Sequence, residues 1–180
     1  MANEDYLTQC LLTMQATLEA SMYFTPTDGA PVIPVVVEVN QDIAQAIQMV
    51  QMRGILVLIA MESTSAIGSG GCLTAKTQFV VRVLETISVN RSPTGTRENG
   101  LRVANAIAEI LNGTPAAKRE DGSTFGGGNY QWTGIVGAQA FGPDGNVAPQ
   151  IKAYHVTFSI PQGTLNTFTR RNGAPPAGAP

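Results

Sequence analysis

A run of seven apolar residues, ILVLIAM at 55–61, constrains the fold of this chain more than any other feature. It follows Gly54 directly and lacks the alternation of apolar and polar residues that marks a half-exposed strand. Continuous apolarity over this length indicates a strand that is buried on both faces. A helix that crosses a bilayer needs about 20 apolar residues, so the run is not a membrane span. The sequence therefore predicts a central strand inside a covered sheet.

Two other segments alternate as strands do when one face lies in the core. The segment KTQFVVRVLETISV (76–89) has apolar odd positions, and IKAYHVTFSI (151–160) has apolar even positions. The first is expected to form an antiparallel hairpin with the 55–61 strand, joined by the flexible connection STSAIGSGGC (63–72). The predicted core faces are Phe79, Val81, Val83, Ile87 and Val89 in one strand, and Tyr154, Val156, Phe158 and Ile160 in the other.

Three amphipathic helices are predicted from apolar residues at steps of three and four. The first covers DYLTQCLLTMQATLEASM (5–22), and the second, QDIAQAIQMVQMR (41–53), is capped by Asn40 and ended by Gly54. The predicted buried stripes are Leu7, Leu11, Met14, Leu18 and Met22 in the first helix, Ile43, Ile47 and Val50 in the second, and Leu101, Ala104, Ile107, Ala108 and Leu111 in the third.

The third helix follows the turn chemistry of NRSPTGTRENG (90–100). Thr94 or Thr96 is its predicted N-cap, and the Asn112-Gly113 pair supplies a left-handed C-terminus. Glu98 lies four residues before Arg102, the orientation in which an ion pair supports a helix by about 0.2–0.5 kcal/mol. On this evidence the helix is a structural element that covers the sheet.

The order helix, strand, helix, strand, strand, helix, strand, strand predicts an α+β fold. We expect a single domain at 1–162, with an antiparallel-rich mixed β-sheet and about three flanking α-helices. The two remaining strands are VVVEV (35–39), which begins at Pro34 or lies at an edge, and the Gly-interrupted YQWTGIVGAQAF (130–141). The polar segment TPAAKREDGSTFGGGN (114–129) is predicted to be a mobile or binding loop, and 163–180 a disordered Pro/Gly/Ala-rich tail.

The content of charged residues limits the kinds of partner that this chain is expected to bind. Charged residues make up 13 % of the sequence, against roughly 25 % in ordinary soluble domains. Either partner subunits cover much of the surface, or the protein is a monomer of low charge. A net charge of −2 gives no excess of positive charge that would attract nucleic acid or a membrane surface. The first ten residues carry no basic region, so we expect no signal peptide and a cytoplasmic location.

The residues that carry chemistry are few and scattered. His155 is the single histidine, and no serine lies in a G-x-S-x-G turn, so a catalytic triad is disfavoured against a structural histidine. Cys10 and Cys72 are interpreted as reduced thiols in preference to a disulfide pair, and with one histidine they do not suffice for a zinc site. The glycine runs at 68–71 and 126–128 lack a phosphate-binding lysine. We expect no catalytic residue, no cofactor and no metal.

The acidic residues Glu62, Glu85 and Glu109 show no spacing that suggests a general acid and base. Glu85 interrupts an apolar strand face, which is interpreted as either an interface contact or the end of a sheet reaching water. Basic pairs at 118–119 and 170–171 have no aromatic residues interleaved with them and are interpreted as solvated charges.

The layout of the chain resembles the tail terminator proteins of tailed bacteriophages, of the lambda type. The segments that carry the resemblance are IPVVVEVNQDIAQAIQMVQMRGILVLIAMES (33–63), FVVRVLETISVNRSPTGTRENGLRVANAIAEILNG (79–113) and HVTFSIP (155–161). They share the order of elements, with a GILV strand, a long strand that ends in a basic NR turn, and a helix of the G-x-R-x-x-A-x-x-I-x-x-L type. The loop at 114–129 has no counterpart in that layout.

The resemblance implies a structural virion protein that forms a hexameric ring at the head-proximal end of the tail tube. Such a ring ends tube polymerisation and joins the tail to the head. Its partners would be further copies of itself, the tail tube protein, the head-tail connector or neck protein and, in some tails, a sheath. Other neck or tail-completion proteins and a generic ligand-binding domain remain as alternatives. Expected partner contacts are Lys76, Arg82, Arg91 and Arg97, and the loop at 120–129 is expected to order on docking.

Overall fold

A computed structural model describes residues 6–38, 43–67, 74–93, 95–117, 128–141 and 147–161. It contains one five-stranded mixed sheet and four helices, so the α+β fold class is confirmed. The predicted N-cap Asn40, the centre of the 114–129 loop and the 163–180 tail lie outside the described residues. The elements are α1 (Tyr6–Glu19), β1 (Val35–Val37), α2 (Ile43–Arg53), β2 (Ile55–Ile67), β3 (Thr74–Thr86), α3 (Ile87–Asn90), α4 (Gly100–Leu111), β4 (Gln131–Phe141) and β5 (Val147–Pro161).

The strands lie in the order β1-β2-β3-β5-β4. The short strand β1 pairs with β2 in parallel at one edge, as Pro34 predicted, and every other pair is antiparallel. The predicted β2–β3 hairpin is confirmed, but its connection is shorter than expected. Residues Ser63–Ile67 pair with Thr74–Gln78 and extend β2, because the β-branched residues Thr64 and Ile67 favour a strand once a partner strand is present.

Helices cover the sheet on both faces. On one face, α1 and α4 pack on the odd-numbered residues of β2 and β3 and on the even-numbered residues of β5. On the other face, α2 places Ala46, Ile47 and Val50 over Leu56, Leu84 and Ala153. Residues Ile55–Ala60 are consequently buried, which confirms a strand covered on both sides, but Met61 at the end of the predicted run is 44 % exposed. The predicted core face of β5 is also confirmed, with Val156, Phe158 and Ile160 fully buried.

Helix ends account for most of the differences from prediction. Helix α1 stops at Glu19, so Met22 lies beyond it and is 69 % exposed instead of belonging to the apolar stripe. The strand predicted to run to Val89 ends at Thr86, and Ile87–Asn90 form the single turn α3. The glycine predictions are confirmed, because Gly54 and Gly113 follow α2 and α4 with φ of +85° and +81°.

The N-cap of α4 is Asn99, not Thr94 or Thr96. The Asn99 side chain accepts a hydrogen bond from the Leu101 N–H at 2.9 Å, which satisfies one of the open donors of the first turn. Thr94 itself lies outside the described residues. With this start Leu101 is 46 % exposed, and Val103 joins the buried stripe in its place.

Candidate assembly site

The carboxylate of Glu85 lies buried at the end of β3, with 5 % of the residue exposed. One oxygen accepts a hydrogen bond from Nδ2 of Asn90 at 2.9 Å, and the other accepts from the N–H of Gly100 at 3.0 Å. Gly100 is the first residue of α4, where a negative charge is favoured by the open N–H groups and the helix dipole. Both sequence interpretations of Glu85, an interface contact or a contact with water, are therefore wrong, because the chain itself supplies its partners.

Asn90 continues this network into the segment that follows. Its Oδ1 accepts from the hydroxyl of Thr96 at 2.6 Å, and its Nδ2 also donates to the carbonyl of Glu98. Its own carbonyl accepts from the N–H of Arg97 at 3.0 Å. We call Glu85, Asn90, Thr96 and Gly100 the Glu85 clasp. The clasp ties both ends of residues 91–99, the basic loop, to the end of β3.

Backbone packing around Asn90 is close enough to require glycine at two positions. A Cβ on Gly54 would lie 2.4 Å from the Cα of Asn90, and one on Gly95 would lie 2.2 Å from the carbonyl oxygen of Asn90. The carbonyl of Gly54 also accepts from the N–H of Thr86 at 2.8 Å. The end of α2, the end of β3 and the basic loop therefore meet in a single tight junction.

Glu98 gives the basic loop a second attachment. The Tyr23 hydroxyl donates to its carboxylate at 3.1 Å, which links the loop to the segment after α1. Burial, followed by the charge of Glu98 and this hydrogen bond, raises the pKa of Tyr23 to about 12, so the hydroxyl remains a donor at neutral pH. The predicted Glu98–Arg102 ion pair is present at 3.8 Å, and exposed pairs of this kind contribute about 0.2–1 kcal/mol.

The four basic residues predicted to contact partners occupy two separate regions. Arg91 and Arg97 are exposed on the basic loop, and Arg97 has a φ of +60°, an uncommon conformation for a residue with a side chain. Lys76 and Arg82 are half-buried on β3. Lys76 pairs with Pro161 at the opposite end of the sheet from the basic loop. The structure brings Arg91 and Arg97 onto one loop and leaves the other two apart from them.

The strand face that carries Arg82 is less open than the sequence predicts. Helix α2 covers it around Leu84, so only the part beyond the helix remains as a polar surface. There Arg82 lies opposite His155 of β5, which lies opposite Val136 of β4. Burial, and then the charge of Arg82, lower the pKa of His155, while Glu62 acts in the opposite direction. The predicted position of His155, on the strand face away from the apolar residues, is confirmed.

Within the described ranges, no three His, Cys, Asp or Glu side chains are grouped so that they could hold a metal ion. The Cys10 thiol is buried in the core, and Cys72 lies outside the described ranges. In the same part of the chain, no helix is long and apolar enough to span a bilayer.

No family model and no curated protein matches this sequence. Among solved structures, the chain is similar to a chain of the virion of a native gene transfer agent particle. That similarity has a TM-score of 0.48 and 14 % sequence identity, and it covers 83 % of this chain and 92 % of the other. A likeness of this degree identifies neither a family nor a function.

Proposed function

We propose that this chain is a non-catalytic structural protein of a tailed-phage virion. In this proposal it forms a ring at the head-proximal end of the tail tube, ends polymerisation of the tube, and offers a surface for joining to the head. The tail tube protein and the head-tail connector or neck protein are its partners. The observation that carries the proposal is the Glu85 clasp, which fixes an exposed basic loop at one end of the sheet.

A buried carboxylate is costly unless hydrogen bonds compensate for its lost hydration. Here the buried carboxylate of Glu85 holds the basic loop, which exposes Arg91 and Arg97 and contributes no apolar residue to either core cluster. Fixing a loop before binding reduces the entropy lost when a partner docks. The strained backbone of Arg97 fits the same interpretation, since such conformations persist where surrounding contacts hold them. The clasp therefore supports a contact surface that is formed before its partner arrives.

Guanidinium groups favour carboxylates, so the partner surface is expected to be acidic. The resemblance to tail terminators supports the same assignment, because its layout places a basic turn after the long strand, where the basic loop begins at Arg91. The low content of charged residues supports a protein that is covered by neighbours on several sides.

The proposal is tested with purified protein and tail tubes, by negative-stain electron microscopy and by following tube growth. The wild-type protein should be found at one end of the tubes and should stop their elongation. The double variant Arg91→Glu/Arg97→Glu should form the same oligomer in native mass spectrometry and lose at least tenfold in tube-end occupancy. The control Gln45→Glu/Gln48→Glu adds two negative charges to the exposed side of α2, away from the basic loop, and should resemble the wild type.

Equal tube-end occupancy of the two double variants would remove the basic loop from the interface. A wild-type protein that is never found at tube ends, and that leaves their growth unchanged, would contradict the function itself. Charge reversal at Arg82 addresses the other predicted contact. If Arg82→Glu leaves both oligomer formation and tail joining unchanged, Arg82 is not part of a partner surface.

A further inference from the structure

We propose that the outer edge of β4 pairs with a second copy of this chain, so that the sheet continues from one subunit to the next. This inference rests on the proposed ring and assigns the surface that forms it.

The composition of β4 is unusual for an edge strand. Its sequence, QWTGIVGAQAF, contains no Asp, Glu, Lys, Arg or Pro. Natural proteins normally protect long edge strands with charges, proline or a covering segment, because unpaired backbone groups recruit other strands. Two large apolar side chains of β4 are also exposed, Trp132 at 48 % and Val136 at 57 %. The strand therefore has the chemistry of a pairing surface.

The beginning of this edge is already covered by the chain itself. The N–H of Tyr130 donates to the carbonyl of Thr114, and the N–H of Trp132 donates to Oδ1 of Asn112 at 3.1 Å. A register shift between Trp132 and Gly134 then separates this covered part from the rest of the strand. From Thr133 to Phe141, no strand among the described residues pairs with the outer side of β4. The open edge thus begins where the local protection ends.

Two glycines in the open part have no tight packing contact with the described residues of the same chain. Neither Gly134 nor Gly137 has a positive φ. A Cβ on Gly137 would meet no atom of the described residues within 4 Å, and one on Gly134 would lie 3.8 Å from the Thr157 hydroxyl, an ordinary contact. Glycine weakens a strand, and in strands it often marks a place where another backbone approaches. A neighbouring chain along β4 accounts for glycines that the described part of the subunit does not require.

The opposite edge of the same sheet supplies the partner strand. Among the described residues, strand β1 pairs with Val57–Ile59, and residues Glu62–Ile67 extend β2 past that paired segment. The pairings β2–β3, β3–β5 and β5–β4 are all antiparallel, so β2 and β4 run in opposite directions. A second copy in the same orientation therefore presents its β2 antiparallel to β4. By the registers across the sheet, residues 62–67 lie level with the start of β4, so the second copy is shifted along the strands to bring 62–67 against 133–141. Strands that are tilted to the axis of a closed assembly have a stagger of this kind. Such a head-to-tail contact forms a ring when the rotation between neighbouring copies closes, and this closed arrangement is the one proposed here.

The test introduces the charge that this edge lacks. Val136→Lys adds a lysine to β4, and Val32→Lys makes the same change at a valine of similar exposure, 51 %, outside the sheet. Oligomer formation is followed against concentration by native mass spectrometry and sedimentation velocity. We expect Val136→Lys to raise the midpoint concentration of assembly at least tenfold, and Val32→Lys to change it less than twofold. Thermal unfolding confirms that each variant is folded, and Gln139→Lys replaces Val136→Lys if it is not.

Hydrogen exchange on the wild-type protein tests the same contact without a substitution. On assembly, amides of 133–141 and 62–67 should gain at least tenfold protection, while the exposed face of α4 should not. Assembly with unchanged exchange in 133–141, or equal assembly of the two valine variants, would overturn the β4 edge and leave the ring in place. A wild-type protein that stays monomeric at all concentrations, with and without tail tubes, would overturn both the edge contact and the proposed function.

Discussion

Removal of the Glu85 carboxylate should destabilise the protein far more than removal of an exposed carboxylate. In Glu85→Ala, the Nδ2 of Asn90 and the N–H of Gly100 both lose their acceptor while they remain buried. In Glu85→Gln the shape is kept and one oxygen remains, but the new NH₂ group faces one of the two donors. Glu109→Gln on the exposed side of α4 is the matched control.

The magnitudes follow from the number of unsatisfied donors. A buried donor without a partner costs about 1–3 kcal/mol, and hydrogen bonds to charged groups contribute about 1.5–3 kcal/mol each. Asn90 keeps its contact with the Glu98 carbonyl, so the loss is smaller there than at Gly100. We expect Glu85→Ala to lower the free energy of unfolding by about 3–5 kcal/mol and Glu85→Gln by about 1–3 kcal/mol. Glu109→Gln should stay within about 0.5 kcal/mol of the wild type.

Urea unfolding monitored by circular dichroism measures the free energy of unfolding of the wild type and of the three variants. Hydrogen exchange adds a local readout, because loss of the clasp should speed exchange at the Gly100 and Arg97 amides before it affects the core of β2. Stabilities of both Glu85 variants within about 0.5 kcal/mol of Glu109→Gln would refute the reasoning. Unchanged exchange at Gly100 in Glu85→Ala would show that the basic loop is held by other contacts.

Two further predictions concern the junction at Asn90 and the single histidine. Gly54→Ala should lower the free energy of unfolding by about 2 kcal/mol more than Gly113→Ala does. Both glycines have a positive φ, but Gly54 also lies against the backbone of Asn90, whereas Gly113 has no close neighbour among the described residues. Urea unfolding of the two variants measures the difference. The pKa of His155 is lowered in the folded protein, so the unfolded chain binds the proton more readily and stability should fall as pH drops below about 6.5. His155→Gln should remove this part of the pH dependence, measured as the difference in thermal midpoint between the two proteins from pH 5 to pH 8, and an unchanged profile would contradict the assignment.

The main strands and the β2–β3 hairpin were predictable because they depend on local patterns. The apolar residues at 55–61 are continuous because both faces of that strand are covered, and those at 76–86 alternate because side chains point in turn to the two faces of the sheet. Either pattern is repeated by the residues of the segment and can be read from the segment alone. Gly54 and Gly113 were predictable as helix ends for a similar reason, since a left-handed residue after a helix is a local requirement. These features need no knowledge of what lies elsewhere in the chain.

The clasp was not predictable, because it depends on contacts between segments that the sequence separates. Glu85 stood out only as a charge at an apolar position of an alternating strand. Its partners follow five and fifteen residues later, across a helical turn and a loop. The same limit applies to Ser63–Ile67, which are polar enough for a connection and become a strand only because Thr74–Gln78 lie beside them. The N-cap of α4 was misassigned because Thr96 uses its hydroxyl to bind Asn90, which leaves Asn99 as the cap.

The two proposed surfaces fit one assembly because they lie in different directions on the subunit. The open edge of β4 lies in the plane of the sheet, whereas the basic loop follows β3, the middle strand, and lies off the end of the strands. In a ring formed by edge pairing, every subunit repeats the same strand direction, so all basic loops face the same rim. Each copy then adds Arg91 and Arg97 to that rim, and attachment to an acidic tube end becomes multivalent. Rings that mix wild-type and Arg91→Glu/Arg97→Glu subunits should therefore lose tube-end occupancy more steeply than in proportion to the variant fraction. A linear loss would mean that each subunit binds the tube independently and that the shared rim has no role.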